Sequence, residues 1–277
     1  MSERRNILTD PQSSRVKRVA GLFRRSSRNR HGRYLAEGPQ AVREAIKCVP
    51  EQVLDLYLTE AAGQRHQDIL ESAQQANIYL HWVSQAVMDA ISTDAQGLVA
   101  VMDLAGIRAG ADALSQVLKD ATQVVVMSET QDPGNAGTII RVADAAGADA
   151  VIMARGCVEL TSPKVIRASA GSLYHLPVIT GLALDDIVAA LRDAQLNILA
   201  ADGAAHLSLF AIEDMLATPV AWLLGNEARG LSRSELNHAD AVVAIPIYGK
   251  AESLNVANRP RPALKASITL LCPLLLG

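Results

Sequence analysis

Aromatic side chains are scarce: Phe and Trp occur twice each, and aromatics make up 3% of the chain. A sheet that stacks bases on a broad aromatic platform, as RRM-type domains do, has little support at that level. Cysteine is equally sparse. Cys48, Cys157 and Cys272 are odd in number, far apart and without a CxxC pair, which excludes a disulfide framework and a zinc ribbon and fits a reducing cytoplasm. No apolar segment follows the polar start Met1-Ser2-Glu3-Arg4-Arg5, and the longest greasy stretch, near Leu270 to Leu276, falls far short of the about 20 residues a membrane span needs. Neither an export signal nor a membrane partner is expected. GxGxxG, Walker, HExxH and GxSxG sequences are all missing, so dinucleotide dehydrogenases, P-loop enzymes, zincins and serine hydrolases lose their sequence support. His66, His81, His175, His206 and His238 show no metal-ligand spacing and read as structural or surface residues, and His31 belongs to a basic stretch; no metal site is expected.

What is present is a globular composition. With 49% hydrophobic and 20% charged residues the chain can bury a core, and 277 residues suggest two domains. The net charge of -3 hides an asymmetry: residues 1–33 hold ten Lys/Arg against two acids, a net +8, which leaves -11 on the remainder. A compact basic arm on an acidic body is the electrostatic footprint of a polyanion contact, because each neutralised phosphate releases counterions. A solvated basic tail is the plainer alternative.

From Tyr34 the pattern is that of a folded α/β unit. Val42, Ala45, Ile46 and Val49 fall at i, i+3, i+4 and i+7 behind Gly38-Pro39, which predicts a helix from about Pro39. Alternation predicts a strand over 53–58, followed by a helix at 65–76, a strand at 78–83, a short helix at 84–91 and a strand at 98–102. Residues 106–121 form a linker or linking helix. Val124-Val125-Val126-Met127 then restarts the pattern as a buried central strand. Helices at 136–146, 163–170 and 185–194 alternate with strands at 150–153, 176–179, 196–201, 220–224 and 241–245, and this alternation implies a parallel sheet.

Ligands of open α/β sheets bind beyond the carboxyl ends of the strands, so the loops there carry the information. The first runs from Ser128 through Asp132-Pro133-Gly134-Asn135 to Arg141, where Asn135 suits a helix cap and Arg141 lies inside the helix. A second, Leu224-Gly225-Asn226-Glu227-Ala228-Arg229-Gly230, places glycines directly after a buried strand, which permits close approach of a ligand or an ordinary turn. The third continues from Ile245-Pro246 to Ser253-Leu254-Asn255, a Ser-x-Asn pair suited to a polar ligand or to a cap.

In order and position these three loops resemble the motifs of the SpoU (TrmH-like) family of SPOUT RNA ribose methyltransferases, and the resemblance covers nearly the whole chain. Arg28 to Pro39 resembles the opening of that family's ribosomal-protein-like substrate-binding domain. The resemblance implies an α/β chain with a basic arm over 1–33, an RNA-binding domain over 34–105, a linker over 106–121 and a SPOUT domain over 122–277, a parallel sheet closed by a trefoil knot. It implies a homodimer with S-adenosylmethionine held by Leu224, Gly225, Ile245 and Leu254. Asn135, Arg141, Glu227, Ser253 and Asn255 would line the reaction site, and the product would be a 2'-O-methylated ribose. Arg28, Arg30 and Arg33, with Lys164 and Arg167 on one helix face, are the expected RNA contacts. The separate N-terminal domain favours 23S rRNA over tRNA.

The chain departs from the family after Ala257. Asn258-Arg259-Pro260-Arg261-Pro262 stands where a small-residue helix should complete the knot, and a proline in a helix interior costs about 3 kcal/mol. The change is abrupt and resembles a shift of reading frame. It motivates a competing reading, an RNA-binding or ribosome-assembly protein of the same fold with an impaired cofactor pocket.

Overall fold

The computed structural model describes residues 6–107 and 110–244. Along the chain, helices α1 (Ser14–Gly21) and α2 (Arg25–His31) precede strand β1 (Arg33–Glu37) and α3 (Pro39–Cys48). Next come β2 (Val53–Leu58), α4 (Glu60–Arg65), α5 (Gln67–Gln75), β3 (Tyr79–Trp82), α6 (Gln85–Ile91) and β4 (Leu98–Asp103). After α7 (Ala111–Leu118) the chain alternates through β5 (Gln123–Met127), α8 (Pro133–Ala145), β6 (Ala150–Met153), α9 (Pro163–Ser169), β7 (Val178–Thr180), α10 (Leu184–Asp193) and β8 (Asn197–Ala201). The described residues end with β9 (Leu207–Ser208), α11 (Glu213–Leu216), β10 (Val220–Leu224), α12 (Arg233–Leu236) and β11 (Ala241–Ala244). The described residues fall into two compact units, one within 1–106 and 160–175, the other within 107–159 and 176–277.

The first unit is built on a four-stranded sheet of order β1-β4-β2-β3, antiparallel except for the parallel β2–β3 pair. Leu35, Tyr57, Val99 and Val101 on one face meet Val16, Val19 and Leu22 from the α1 region and Val87, Met88 and Ile91 of α6. The basic arm is therefore not a tail. Ser13 caps α1 by accepting from the Val16 N–H, the three apolar residues recur at i, i+3 and i+6, and α2 stops at Gly32, whose φ of 61° suits a glycine. Strand β2 has a bulge: Val53 lies opposite Met102 but Asp55 opposite Val101, so Leu54 is an extra residue. In a regular ladder Asp55 would face Ala100 on the other side; the bulge turns it toward the α1 side. Residues 160–175, expected to belong with the C-terminal sheet, fold into this first unit, where α9 contacts β1.

The second unit is a seven-stranded sheet of order β7-β6-β5-β10-β8-β11-β9, parallel at every pairing. Val124, Val125 and Val126 are buried, as a continuous apolar run in a central parallel strand requires. From β5 the chain moves outward to β6 and β7, whereas from β10 it moves the other way to β11. The order thus reverses between β5 and β10, and the carboxyl ends of those two strands mark the switch point. In the expected linker, α7 contributes Leu114 and Leu118 to the core of this unit. The residues that would form a knot after β11 lie outside the described residues.

Candidate active site

The loops leaving β5 and β10 are joined by main-chain and side-chain hydrogen bonds. Ser128 N–H donates to the Leu224 carbonyl at 2.9 Å, continuing the ladder one residue past the strand end. The Asn226 amide donates to the Glu129 carbonyl at 3.0 Å, and its Oδ1 accepts from Ala228 N–H at 3.0 Å. The Glu227 carboxylate accepts from the N–H groups of Gln131 and Asp132, each at 3.2 Å. Arg229 forms an ion pair with Glu129, and Gln131 Nε2 donates to the Gly156 carbonyl. The second loop closes on itself through reciprocal backbone bonds between Asn226 and Gly230.

That closure explains Gly225. A Cβ there would lie 2.5 Å from the Gly230 carbonyl carbon and 2.7 Å from Leu231 N. The close approach the glycine permits is made by the loop's own returning backbone. Asp132, not Asn135, caps α8: its Oδ1 accepts from Asn135 N–H at 2.8 Å, and Pro133 occupies the first helical position. This moves the helix start three residues before the expected 136 and leaves the Asn135 side chain exposed in the first turn. Arg141 is exposed farther along the same helix.

Other expected residues are distributed unevenly. Leu224 is buried at the end of β10, and Gly225 and Glu227 follow it, all at the switch point. Ile245, Ser253, Leu254 and Asn255 lie outside the described residues. Arg30, Arg33 and Lys164 are exposed, as phosphate contacts must be. Arg28 is not: it is 3% exposed, and its guanidinium donates to the Leu22 and Phe23 carbonyls at 3.0 and 2.9 Å, closing the turn between α1 and α2. Arg167 is held by carboxylates, donating to Glu37 Oε1 at 2.7 Å and Asp94 Oδ2 at 2.6 Å. Both arginines were expected on phosphate; Arg28 is instead spent on buried carbonyls, whereas Arg167 is ion-paired while its side chain stays 40% exposed.

Four residues at the site carry roles that residue type and spacing do not disclose: Glu129, Gln131, Asp132 and Arg229. Only Asp132 has a local sequence signal, an aspartate immediately before proline at a helix start. The Thr130 hydroxyl is buried without a hydrogen-bond partner among the described residues. Nearby, Cys157 donates its S–H to the Met127 carbonyl, and burial pushes its pKa up to about 11, so it supplies no thiolate at neutral pH. In the first unit, Glu44, Cys48 and His175 bring one ligand atom each within 4.8 Å of one another. His175 is thus drawn to a carboxylate, at 3.3 Å from Glu44, in a setting typical of surface ion pairs.

The description "SpoU rRNA Methylase family" matches residues 122–259, and "RNA 2'-O ribose methyltransferase substrate binding" matches 35–105. A 23S rRNA (guanosine-2'-O-)-methyltransferase RlmB of Xylella fastidiosa is 31% identical over 226 residues, 79% of this chain and 90% of that one. The chain belongs to the SpoU family. RlmB of Bordetella pertussis is 29% identical over 83% of this chain and 95% of its own. Among solved structures, an RNA 2'-O ribose methyltransferase is similar with a TM-score of 0.73 and 26% identity, covering 98% of this chain and 97% of that one. As a SpoU protein the chain has its first two motif loops at the β5–β10 switch point, and the family match ends two residues after Ala257, where the sequence pattern changes.

Proposed function

We propose that this SpoU protein transfers the methyl group of S-adenosylmethionine to a ribose 2'-hydroxyl of 23S rRNA. The observation that carries this reading is the joining of the two motif loops at the carboxyl ends of β5 and β10. The Thr130 hydroxyl on the first of these loops is buried without a partner among the described residues, a polar group left over for a ligand. When bound, the cofactor supplies an electrophilic methyl on a sulfonium. Leu224 at the end of β10 and Gly225 after it would hold it, together with Ile245 and Leu254.

The chain's own work is alignment and charge management. Arg141 pairs with a phosphate beside the target ribose and stabilises negative charge growing on the 2'-oxygen as its proton passes to solvent water; a guanidinium, always protonated, is a poor base but a good clamp. Asn135, about one and two-thirds turns earlier on α8, orients the ribose together with Ser253 and Asn255. Glu227 is a positioning residue, since its carboxylate is committed to the Gln131 and Asp132 N–H groups. Arg30, Arg33 and Lys164 contribute exposed positive charge toward RNA. The active form is a cytoplasmic homodimer, and rRNA is preferred to tRNA.

Incubation with methyl-labelled S-adenosylmethionine and 23S rRNA, followed by mapping of the modified nucleotide, tests this reading. Transfer by the wild type, reduced at least about 100-fold by Arg141→Ala with cofactor binding retained, is the expected result. Full transfer by that variant overturns the assignment of Arg141. RNA binding with no cofactor binding and no transfer favours the ribosome-assembly reading, which the family match ending at residue 259 motivates.

A further inference from the structure

One end of the sheet face in the first unit is left open by α1 and forms a cavity of about 620 Å³. Arg15, Arg18, His31, Arg33, Asp55, Tyr57, Tyr79 and His81 supply its polar and aromatic wall. Register explains the grouping. Asp55 pairs with Tyr79 and Tyr57 with His81 across the parallel β2–β3 ladder, so all four side chains rise on one face, and the β2 bulge is what sends Asp55 there.

The aromatic rings form a tier. Tyr57 and His81 stack with centroids 4.4 Å apart, and Tyr79 leans on His81 at 4.7 Å. Only the outermost ring is open: Tyr79 is 65% exposed and His81 is 7% exposed. His81 is locked from both sides. Arg15 can only donate, so Nδ1 accepts from it at 3.2 Å and the Nε2–H donates to Asp55 Oδ1 at 2.8 Å. Among the described residues Asp55 is the only carboxylate in the lining, against three arginines, so the described wall is net positive. The low aromatic count of the sequence is real, but two of its tyrosines stand together here with a histidine ring between them and arginine around them.

We propose that this cavity receives one unstacked nucleotide of the substrate RNA, its base laid on the Tyr79 ring and its flanking phosphates held by Arg15, Arg18 and Arg33. The inference rests on the reading of RNA as substrate and assigns a recognition subsite remote in sequence from the methyl-transfer motifs. A cavity of this size suits a mononucleotide, an exposed ring supplies a base-stacking surface, and arginine on the rim supplies phosphate contacts. A duplex cannot use the ring, because its bases are stacked on one another.

Fluorescence anisotropy of the full chain with a labelled short single-stranded oligoribonucleotide, beside a duplex RNA of equal length, tests the subsite. Tyr79→Ala should weaken single-strand binding by roughly ten- to a hundred-fold, and Tyr79→Phe, which keeps the ring, should restore it. Arg18→Gln should lower the slope of log affinity against log salt by about 0.7. Tyr79 is exposed, so loss of binding by Tyr79→Ala with unchanged Tm reports the surface and not the fold. Equal affinities for wild type and Tyr79→Ala, or a Tyr79→Phe variant as weak as Tyr79→Ala, would overturn the subsite. Methyl transfer to 23S rRNA is measured in parallel on the same proteins. Transfer by the wild type with unaltered RNA KM in Tyr79→Ala sinks the subsite alone, whereas Tyr79-dependent binding without any wild-type transfer sinks the enzymatic reading alone.

Discussion

The Asn226 carboxamide donates to the Glu129 backbone carbonyl at 3.0 Å, and through this bond the loop after β10 holds the loop after β5. Asn226→Ala removes the bond and leaves a half-buried carbonyl short of a partner, at a cost of about 1 kcal/mol. Urea unfolding should show that loss. Calorimetry should show S-adenosylmethionine binding weakened by at least about five-fold. Unchanged cofactor affinity would mean that the loops keep their arrangement without Asn226.

Gly225→Ala tests the tight return of the second loop. The new methyl would collide with main-chain atoms of Gly230 and Leu231, which cannot swing aside as a flexible side chain would. We expect destabilisation of about 1–3 kcal/mol and loss of measurable cofactor binding. A variant with wild-type Tm and wild-type cofactor affinity would show that the loop opens in solution.

Arg167→Met separates a structural from an RNA-binding role. Burial raises the Glu37 pKa, while the Ser92 hydroxyl at 2.5 Å and Arg167 act against that rise. Without Arg167 the carboxyl is pushed up further. A carboxylate whose folded pKa lies above its unfolded value stabilises the fold in its protonated form, and that stability is lost as pH rises through the folded pKa. The deficit of Arg167→Met, about 1–3 kcal/mol at neutral pH, should therefore shrink as the solution is made acidic. Glu37→Gln should suppress this pH dependence. A change in the salt slope of RNA binding would instead return Arg167 to the phosphate contacts.

Tyr34 and Tyr57 predict the alkaline limit. Burial pushes both phenols up to about 12, above their ordinary value of 10.0. Their stabilising contribution is complete below pH 10 and is lost as pH rises toward 12, because the unfolded chain ionises first. For fully buried Tyr34 the span corresponds to about 3 kcal/mol. Denaturant midpoints measured across this window should fall steeply for wild type and less steeply for Tyr34→Phe. Parallel curves would show that Tyr34 does not titrate with unfolding.

Apolar runs and alternation made most of the strands legible, because a buried strand such as Val124-Val125-Val126 writes its burial directly into composition. The switch-point loops were legible from their turn residues and from the family resemblance. Legibility stopped wherever a residue's role depends on a distant partner. Ten basic residues in the first 33 read as a basic arm, either a polyanion contact or a solvated tail, but Val16, Val19 and Leu22 form a short stripe that charge counting hides. Arg28 and Arg167 look like their exposed neighbours in sequence, and only the fold shows their carbonyl and carboxylate acceptors. The Asp55 bulge and the Tyr57–His81–Tyr79 tier depend on ladder register, which no local periodicity encodes.

The Glu37–Arg167 pair joins residues 130 positions apart within one compact unit. A ribosome must therefore synthesise both the whole N-terminal sheet and the first strands of the parallel sheet before that unit can receive its last helix. Contacts this far apart carry a loop-closure cost before they are rewarded. Until α9 emerges, the Glu37 carboxylate waits without its cation, and a fragment cut at residue 105 would keep that vacancy permanently. Excision at the apparent domain boundary should thus yield a less stable N-terminal unit than the intact chain contains.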